Sequence, residues 1–423
     1  MPPPEILHCM LSRKTRPYTC TAKWALPTNT SKCATRNNMS IPFNIATEEL
    51  KKLRREVLHR HPELSGKEKE TARRIAAFLQ NHHPYEIHQN IGGHGLMAIY
   101  QGAQAGPTVV IRCELDALPI AETIDLPHAS QHEGVAHKCG HDGHMSMVAG
   151  LAPLLHDNPL QKGKVVLLFQ PAEETGQGAR RVANDEVFKK LNPDWIFAVH
   201  NLPGFPVNQV VYREGAFNPA VNSLIVKYTG HTSHAAEPEK GLNPALAMAE
   251  LLQKLITWNE GDSESATFTV IAPVHQLLGD KAYGTSAGYG ESHFTLRSDT
   301  AEKMRELEQR AEELARNIGN KHELKTEISW TESFEAGYNH PDAVAHIAKA
   351  AQQLGLNTHE VPRPFRWGED FGHFTQHYRG AMFCLGAGNN HPSLHHPHYD
   401  FNDDLLEPGV AVFYKIIRNI LHV

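Results

Sequence analysis

From about Thr47 apolar residues recur at helical spacing: Leu50, Leu53 and Val57 share one face, and Thr71, Ile75, Phe78 and Leu79 repeat the pattern after the turn-forming run Pro62-Glu63-Leu64-Ser65-Gly66. Two helices are therefore predicted at the start of the folded chain. Downstream, the runs Thr108 to Arg112, Val165 to Gln170 and Trp195 to His200 are apolar at consecutive positions, as strands buried on both faces are. A helical pattern from His144 to His156 separates the first two. Strands that alternate with helices predict an α/β layer with helices on its faces.

Between about Gly215 and Trp330 the rhythm changes. The pattern predicts strand Asn222 to Thr229, helix Asn243 to Trp258, strand Thr267 to Val274, strand Glu291 to Arg297, helix Ala301 to Ile318 and strand Glu323 to Trp330. This β-α-β-β-α-β order is that of a ferredoxin-like α+β unit. Asn243 is placed to cap its helix with Pro244 at the first helical position, Asp299 stands three before Glu302, and Gly319 is the expected stop of the second helix. Met304, Leu307, Ala311, Leu314 and Ile318 form an apolar stripe expected to pack on the unit's own sheet. Helix Asp342 to Leu354, the short strand Ala381 to Leu385, a His-rich loop and a last helix ending near Leu421 then resume the first rhythm. The expected fold class is α/β, with residues 45–214 and 331–423 forming one domain and residues 215–330 an inserted satellite.

Composition narrows the function classes. The hydrophobic fraction of 40% is ordinary, and aliphatic runs such as Val165 to Phe169 fall far short of a membrane span, so no membrane partner is expected. Lys and Arg number 41 against 47 Asp and Glu, a formal charge of -6 without the basic stripe that nucleic acid requires. The six cysteines, at positions 9, 20, 33, 113, 139 and 384, show no disulfide framework, which favours a reducing compartment, the cytoplasm. Residues 1–40 carry six Lys or Arg, one acid (Glu5) and three of the cysteines, and the extension over 1–44 is expected to lie outside the fold. It reads either as a transit peptide, which would direct the chain to an organelle matrix, or as an extension ahead of a start at Met39.

The 29 histidines matter only where they meet other ligand types. In His137-Lys138-Cys139-Gly140-His141-Asp142-Gly143-His144, a thiol and an imidazole two residues apart can reach one ion, and that pair suits Zn or another borderline transition metal rather than Ca or Mg. Gln170-Pro171-Ala172-Glu173-Glu174 puts paired carboxylates directly after a buried strand, where open α/β sheets bind ligands. One carboxylate can hold metal while the other works as a base; a solvated acidic loop is the plainer alternative. His200 ends another strand, and His391, His395, His396 and His398 cluster near the C-terminus. Together these groups are enough for two metals, an arrangement that polarises a carbonyl and acidifies water while a nearby carboxylate moves the proton.

Seven runs, in order, carry a resemblance from about residue 47 onward: Cys113-Glu114-Leu115-Asp116-Ala117-Leu118-Pro119-Ile120, the Cys-Gly-His-Asp-Gly-His stretch, Gln-Pro-Ala-Glu-Glu-Thr-Gly, Ala198-Val199-His200-Asn201, Gly230 to Pro238, Gly368-Glu369-Asp370-Phe371, and the closing His-His-Pro-His-Tyr-Asp-Phe-Asn-Asp. They resemble the metal-dependent amidohydrolases that include hippurate hydrolases, bacterial N-acyl-amino-acid hydrolases and plant auxin-conjugate hydrolases, relatives of aminoacylase and the di-zinc carboxypeptidases. The resemblance implies two divalent metals, Zn or Mn with Co or Ni as alternatives, sharing the Cys139 thiolate and completed by His141, Glu174, His200 and His395, with His396 the other reading of that run. It makes Glu173 the general base and Asp116 the carboxylate behind a ligand. His234 would meet the substrate carbonyl and Arg297 a substrate carboxylate. It also implies a small-molecule amide substrate, typically an N-acyl amino acid, and a homodimer formed through the satellite. A dipeptidase or carboxypeptidase with the same site is the rival enzyme, and a metal-binding member without catalysis the rival of another class. Glu173 beside Glu174 argues against the latter, since holding metal does not require the extra carboxylate. Two features depart from the family pattern: Glu114 replaces the usual Asp, and residues 1–40 have no counterpart.

Overall fold

The computed structural model describes residues 42–262 and 265–422, and the expectations placed on the chain before residue 42 lie outside them. The larger sheet has eight strands in the order Glu86–Ile91, Gly95–Gln101, Lys162–Gln170, Gln104–Glu114, Trp195–Pro203, Gly380–Gly388, Val210–Tyr212 and Thr358–Glu360. Its four central strands, from Lys162–Gln170 to Gly380–Gly388, run parallel. Each is buried on both faces, which is why their sequences read as unbroken apolar runs. Val109, Ile111 and Cys113 point into a core shared with Leu50, Ile75, Met147 and Val412 from the helices on one side. Val110, Val166, Ile196 and Ala198 point to the other side, against Val182, Phe188 and Phe374. Full burial of each such aliphatic or aromatic side chain contributes about 1.5–3 kcal/mol.

Two local differences from the sequence reading have plain causes. The expected helix His144 to His156 is split into His141–Ala149 and Leu151–Asp157. Pro153 lacks the amide hydrogen that would continue the ladder to Ala149, so the chain restarts its helix with proline in the first turn. The outer strands Glu86–Ile91 and Gly95–Gln101 form a hairpin that the sequence pattern does not predict; the first is a largely exposed edge strand whose polar residues blur the alternation.

The second sheet is antiparallel, in the order Thr269–Leu278, Tyr289–Ser298, Ala220–Thr229 and Lys325–Phe334. Helices Ala245–Ile256 and Ala301–Lys321 cover one face, and the β-α-β-β-α-β order and strand arrangement are those of a ferredoxin-like unit inserted in the α/β fold. Met304, Leu307, Ala311 and Ile318 are buried on this sheet, as their spacing requires. Asn243 Oδ1 accepts the Ala245 amide, as a cap does. The second cap differs: Thr300, not Asp299, accepts from the Lys303 amide, while Asp299 binds the amide of Phe268. Gly319 does not stop that helix, which runs on to Lys321; a Cβ on Gly319 would come within 1.8 Å of Thr326 Oγ1, so packing on the next strand accounts for this glycine. No helix among the described residues is long and apolar enough to cross a membrane.

Candidate metal centre and substrate cleft

The parallel strands end on one edge of the sheet; His200 stands inside strand Trp195–Pro203, which runs on past the end expected at His200, and the segments that follow the other strands carry the remaining donor groups. Cys139 and Gly140 precede helix His141–Ala149, and Gly140 takes a left-handed conformation with φ 92. A Cβ there would lie 2.3 Å from Asn201 Oδ1 and 2.7 Å from Tyr399 Oη, so only glycine lets the chain turn from Cys139 to His141. His395 reaches the same edge from the C-terminal loop, with its amide donating to the Lys138 carbonyl at 2.8 Å.

The donors converge. Cys139 Sγ lies 3.5 Å from His200 Nε2. His141 Nε2 is 3.8 Å from Glu173 Oε2 and 3.8 Å from Glu174 Oε1, while His395 Nε2 is 3.7 Å from the same Glu174 oxygen. His141 directs Nδ1 at the Asp116 carbonyl, 2.9 Å away, and His200 directs Nδ1 at the Asn201 carbonyl, also 2.9 Å away. Those contacts leave both Nε2 lone pairs free for the cluster. Asp116 supports the site through two of its groups: its carbonyl orients His141, and its carboxylate accepts the Ser65 hydroxyl at 2.7 Å and the Glu174 amide at 3.0 Å.

This donor set fits divalent metal. His141 Nε2 and Glu174 Oε1 are buried without a hydrogen-bond partner, a costly condition that coordination would relieve. Charge points the same way. Burial and the crowding of Glu369, Glu174 and Asp370 push the Glu173 carboxyl well above its ordinary range. Burial, with Asp116 and Glu369, raises Glu174 to about 7 despite His141. Burial and the neighbouring carboxylates also push the Cys139 thiol well up. A cation removes that repulsion, and the thiolate, imidazoles and carboxylate suit Zn, Mn, Co or Ni. Another ligand-type cluster, His59, His128 and Asp400, is different: the Arg54 guanidinium already stands in it, bonded to Asp400 at 3.0 Å and Asp142 at 2.9 Å.

Behind the cluster lies a buried network whose roles the sequence did not assign. Arg112 pairs with Glu114, with Glu369 at 3.0 Å and with Asp370 at 2.7 Å, and bonds Gln170 at 2.8 Å. The second oxygen of Glu114 is 2.7 Å from His144 Nδ1, and Asn201 bonds both His144 and Tyr399. The longer Glu114 side chain thus bridges Arg112 and His144. The available signal was a charged residue inside an otherwise apolar buried strand. Replacing Arg112 with Met should destabilise the fold by about 3–5 kcal/mol, because it strands buried carboxylates without a cation. Denaturant unfolding checks this, and a loss under about 1 kcal/mol would show that Arg112 is not their essential counter-charge.

A cleft of ≈ 610 Å³ opens over the cluster, lined by Cys139, Glu173, Glu174, His200 and His395 on one side. The satellite sheet contributes Arg297, whose guanidinium donates to the Arg366 carbonyl at 3.0 Å and has no carboxylate partner among the described residues. His234 is not brought there. It lies on the short strand Ser233–His234, exposed, with Nδ1 accepting the Ala236 amide, and it does not line the cleft. His396 is exposed, and its Nδ1 is engaged by the His398 amide.

Comparison with known proteins agrees with this architecture. Residues 110–419 match the model of peptidase family M20/M25/M40. The chain is 30% identical over 388 residues to an N-acetyl-L-cysteine deacetylase of Bacillus subtilis (strain 168), covering 90% of this chain and 91% of that protein. It is also 30% identical over 368 residues to an N-acetyldiaminopimelate deacetylase of Bacillus velezensis, covering 86% and 96%. Among solved structures it superposes on the YxeP protein of Bacillus subtilis, described as a dinuclear metal-binding M20 peptidase, with TM-score 0.74 and 27% identity over 89% of this chain and 98% of that one. This chain belongs to peptidase family M20/M25/M40 and is a metal-dependent hydrolase.

Proposed function

We propose that the chain hydrolyses the amide bond of N-acyl amino acids. The observation that carries this reading is Arg297: a half-buried cation without a carboxylate partner among the described residues shares one cleft with the paired carboxylates and the donor cluster. A substrate carboxylate would supply the missing charge, and an amide carbonyl on the same small molecule would then lie over the cluster. Cys139, His141, Glu174, His200 and His395 would hold two divalent metals, which supply Lewis acidity toward the carbonyl and lower the pKa of water. Glu173 would take the proton from the attacking water and return it to the leaving nitrogen. The amidohydrolase relatives support hydrolysis of an acylated amine rather than of a free peptide.

The reading divides the chain into a catalytic domain, residues 45–214 and 331–423, and a satellite, residues 215–330, through which two chains pair in the cytoplasm. Support for pairing comes from the edge strand Thr269–Leu278, where Val274, Leu277 and Leu278 are exposed. His234, placed away from its own cleft, would then act as the partner subunit's His234, donating to the developing oxyanion. Replacing His234 with Ala should lower kcat by about 10² to 10³ without loss of metal. Co-expression with Glu173→Gln chains should restore activity in mixed dimers, each chain supplying what the other lacks. A fall below about fivefold would reject the oxyanion role; a full fall without rescue in verified mixed dimers would reject sharing alone.

The reading as a whole is tested by adding Zn, Mn, Co or Ni separately to stripped protein. N-acetyl and N-benzoyl amino acids are offered beside free dipeptides. Turnover confined to the dipeptides would replace the proposal with a dipeptidase.

A further inference from the structure

The run Phe365-Arg366-Trp367-Gly368 leads into Glu369 and Asp370; its Trp367 and Gly368 line the cleft, and its Arg366 carbonyl accepts from Arg297. The Trp367 ring is tightly held: it stacks on Phe365 (centroids 5.2 Å, 29°), meets Phe217 edge-on (5.9 Å, 87°), and lies 5.4 Å from the ring of His200. Gly368 lets the opposite wall approach, since a Cβ there would be 3.1 Å from Val221 and 3.5 Å from the Phe334 ring. Val221 is the cross-strand neighbour of Arg297 in the satellite sheet and pairs on its other side with Phe334, and both line the cleft. The Arg297 guanidinium itself donates to the carbonyl of Arg366, the residue before Trp367. Cation and apolar wall therefore share one corner.

That adjacency decides which half of a substrate the wall meets. In an N-acyl amino acid the carboxylate and the side chain leave the same carbon, whereas the acyl group lies beyond the scissile amide. With the carboxylate at Arg297, the side chain falls against Trp367, Val221 and Phe334. We propose that this corner selects the leaving amino acid, with Trp367 as the specificity-determining residue, and that the preferred substrates are N-acyl derivatives of large apolar amino acids such as leucine or phenylalanine. The inference deepens the amidohydrolase reading and rests on it. Aromatic and branched side chains such as Trp367, Val221 and Phe334 gain from each methylene buried against them and offer no ionic partner to a charged side chain. The indole N–H of Trp367, buried and unpartnered among the described residues, offers an acceptor on the ligand one further bond.

The experiment keeps the acetyl group constant and varies the amino acid. Metal-loaded protein should show a kcat/KM for N-acetylleucine and N-acetylphenylalanine at least about tenfold above that for N-acetylalanine. Trp367→Ala should shrink this ratio to below about threefold, Trp367→Phe should retain most of it, and Phe334→Ala on the facing wall should narrow it independently. Calorimetric titration supplies a readout apart from turnover: phenylalanine should bind the wild type more tightly than alanine, and Trp367→Ala should erase the difference. A best substrate with a small or charged side chain would overturn the proposal, as would a ratio unchanged in Trp367→Ala and Phe334→Ala. So would a Trp367→Ala effect confined to the choice between acetyl and benzoyl groups on one amino acid. If metal-loaded wild type cleaves no N-acyl amino acid, the amidohydrolase reading falls with it; if it cleaves them without apolar preference, this inference falls alone.

Discussion

Replacing Glu173 with Gln is expected to lower kcat by about 10² to 10⁴ while the protein keeps its metal, whereas replacing Glu174 with Gln should cost metal itself. The two carboxylates are adjacent at the end of strand Lys162–Gln170, yet their surroundings differ. Glu174 Oε1 is buried without a hydrogen-bond partner and faces both His141 and His395, as an oxygen inside a ligand shell would. Glu173 stands 3.8 Å from His141 on the cleft wall, and burial, with the crowding of Glu369, Glu174 and Asp370, pushes its carboxyl upward until a cation offsets that crowding. A carboxylate on the cleft wall beside the cluster can take a proton from water and give it up again; the Gln amide cannot. Steady-state rates paired with metal analysis of each variant decide the matter. The opposite pattern, with metal lost from Glu173→Gln and retained by Glu174→Gln, would exchange the two roles.

Chelation should abolish turnover and added Zn or Mn should restore it. Cys139→Ser should lower bound metal sharply, since a serine hydroxyl stays protonated near pH 7 and cannot supply the thiolate that the proposed site would use. The surroundings of Cys139 give this a pH dependence. Burial together with Glu174 and Glu173 raises the thiol above its ordinary pKa, and Glu174 itself is raised to about 7. Both must lose a proton to bind, so metal loading should release protons, and apparent affinity should weaken as pH falls through 7. Measured proton release on Zn addition, compared between wild type and Cys139→Ser, checks the assignment. Full turnover by rigorously metal-free protein would remove the basis for the whole reading.

Much of the fold was legible because local pattern and burial agree. The satellite's two amphipathic helices and four strands appear in sequence with nearly their observed limits, and the central strands of the larger sheet stand out because both faces of each are apolar. Where they disagree, legibility fails. The polar edge strand Glu86–Ile91 has little alternation to read, and Pro153, in the first turn of Leu151–Asp157, splits a helix that periodicity alone would run through.

For the site, residue types at short spacings specify the available chemistry: a thiol, imidazoles and paired carboxylates at or after the ends of buried strands, which parallel pairing brings to one edge. How those groups work together follows from contacts between distant segments. Asp116 orients His141 through its carbonyl and holds the Glu174 loop through its carboxylate, a division of labour that residue type does not encode. His234 lies outside its own cleft, and Arg112 turns out to gather three acids under the cluster. The cleft wall was invisible in sequence for a physical reason: Leu202, Val221, Phe334, Trp367 and Leu394 come from separate segments and meet only when the satellite sheet stands over the strand ends. Ligand chemistry is a property of residue types at short spacings, whereas a pocket's shape arises from contacts between distant segments, which no single stretch of chain specifies.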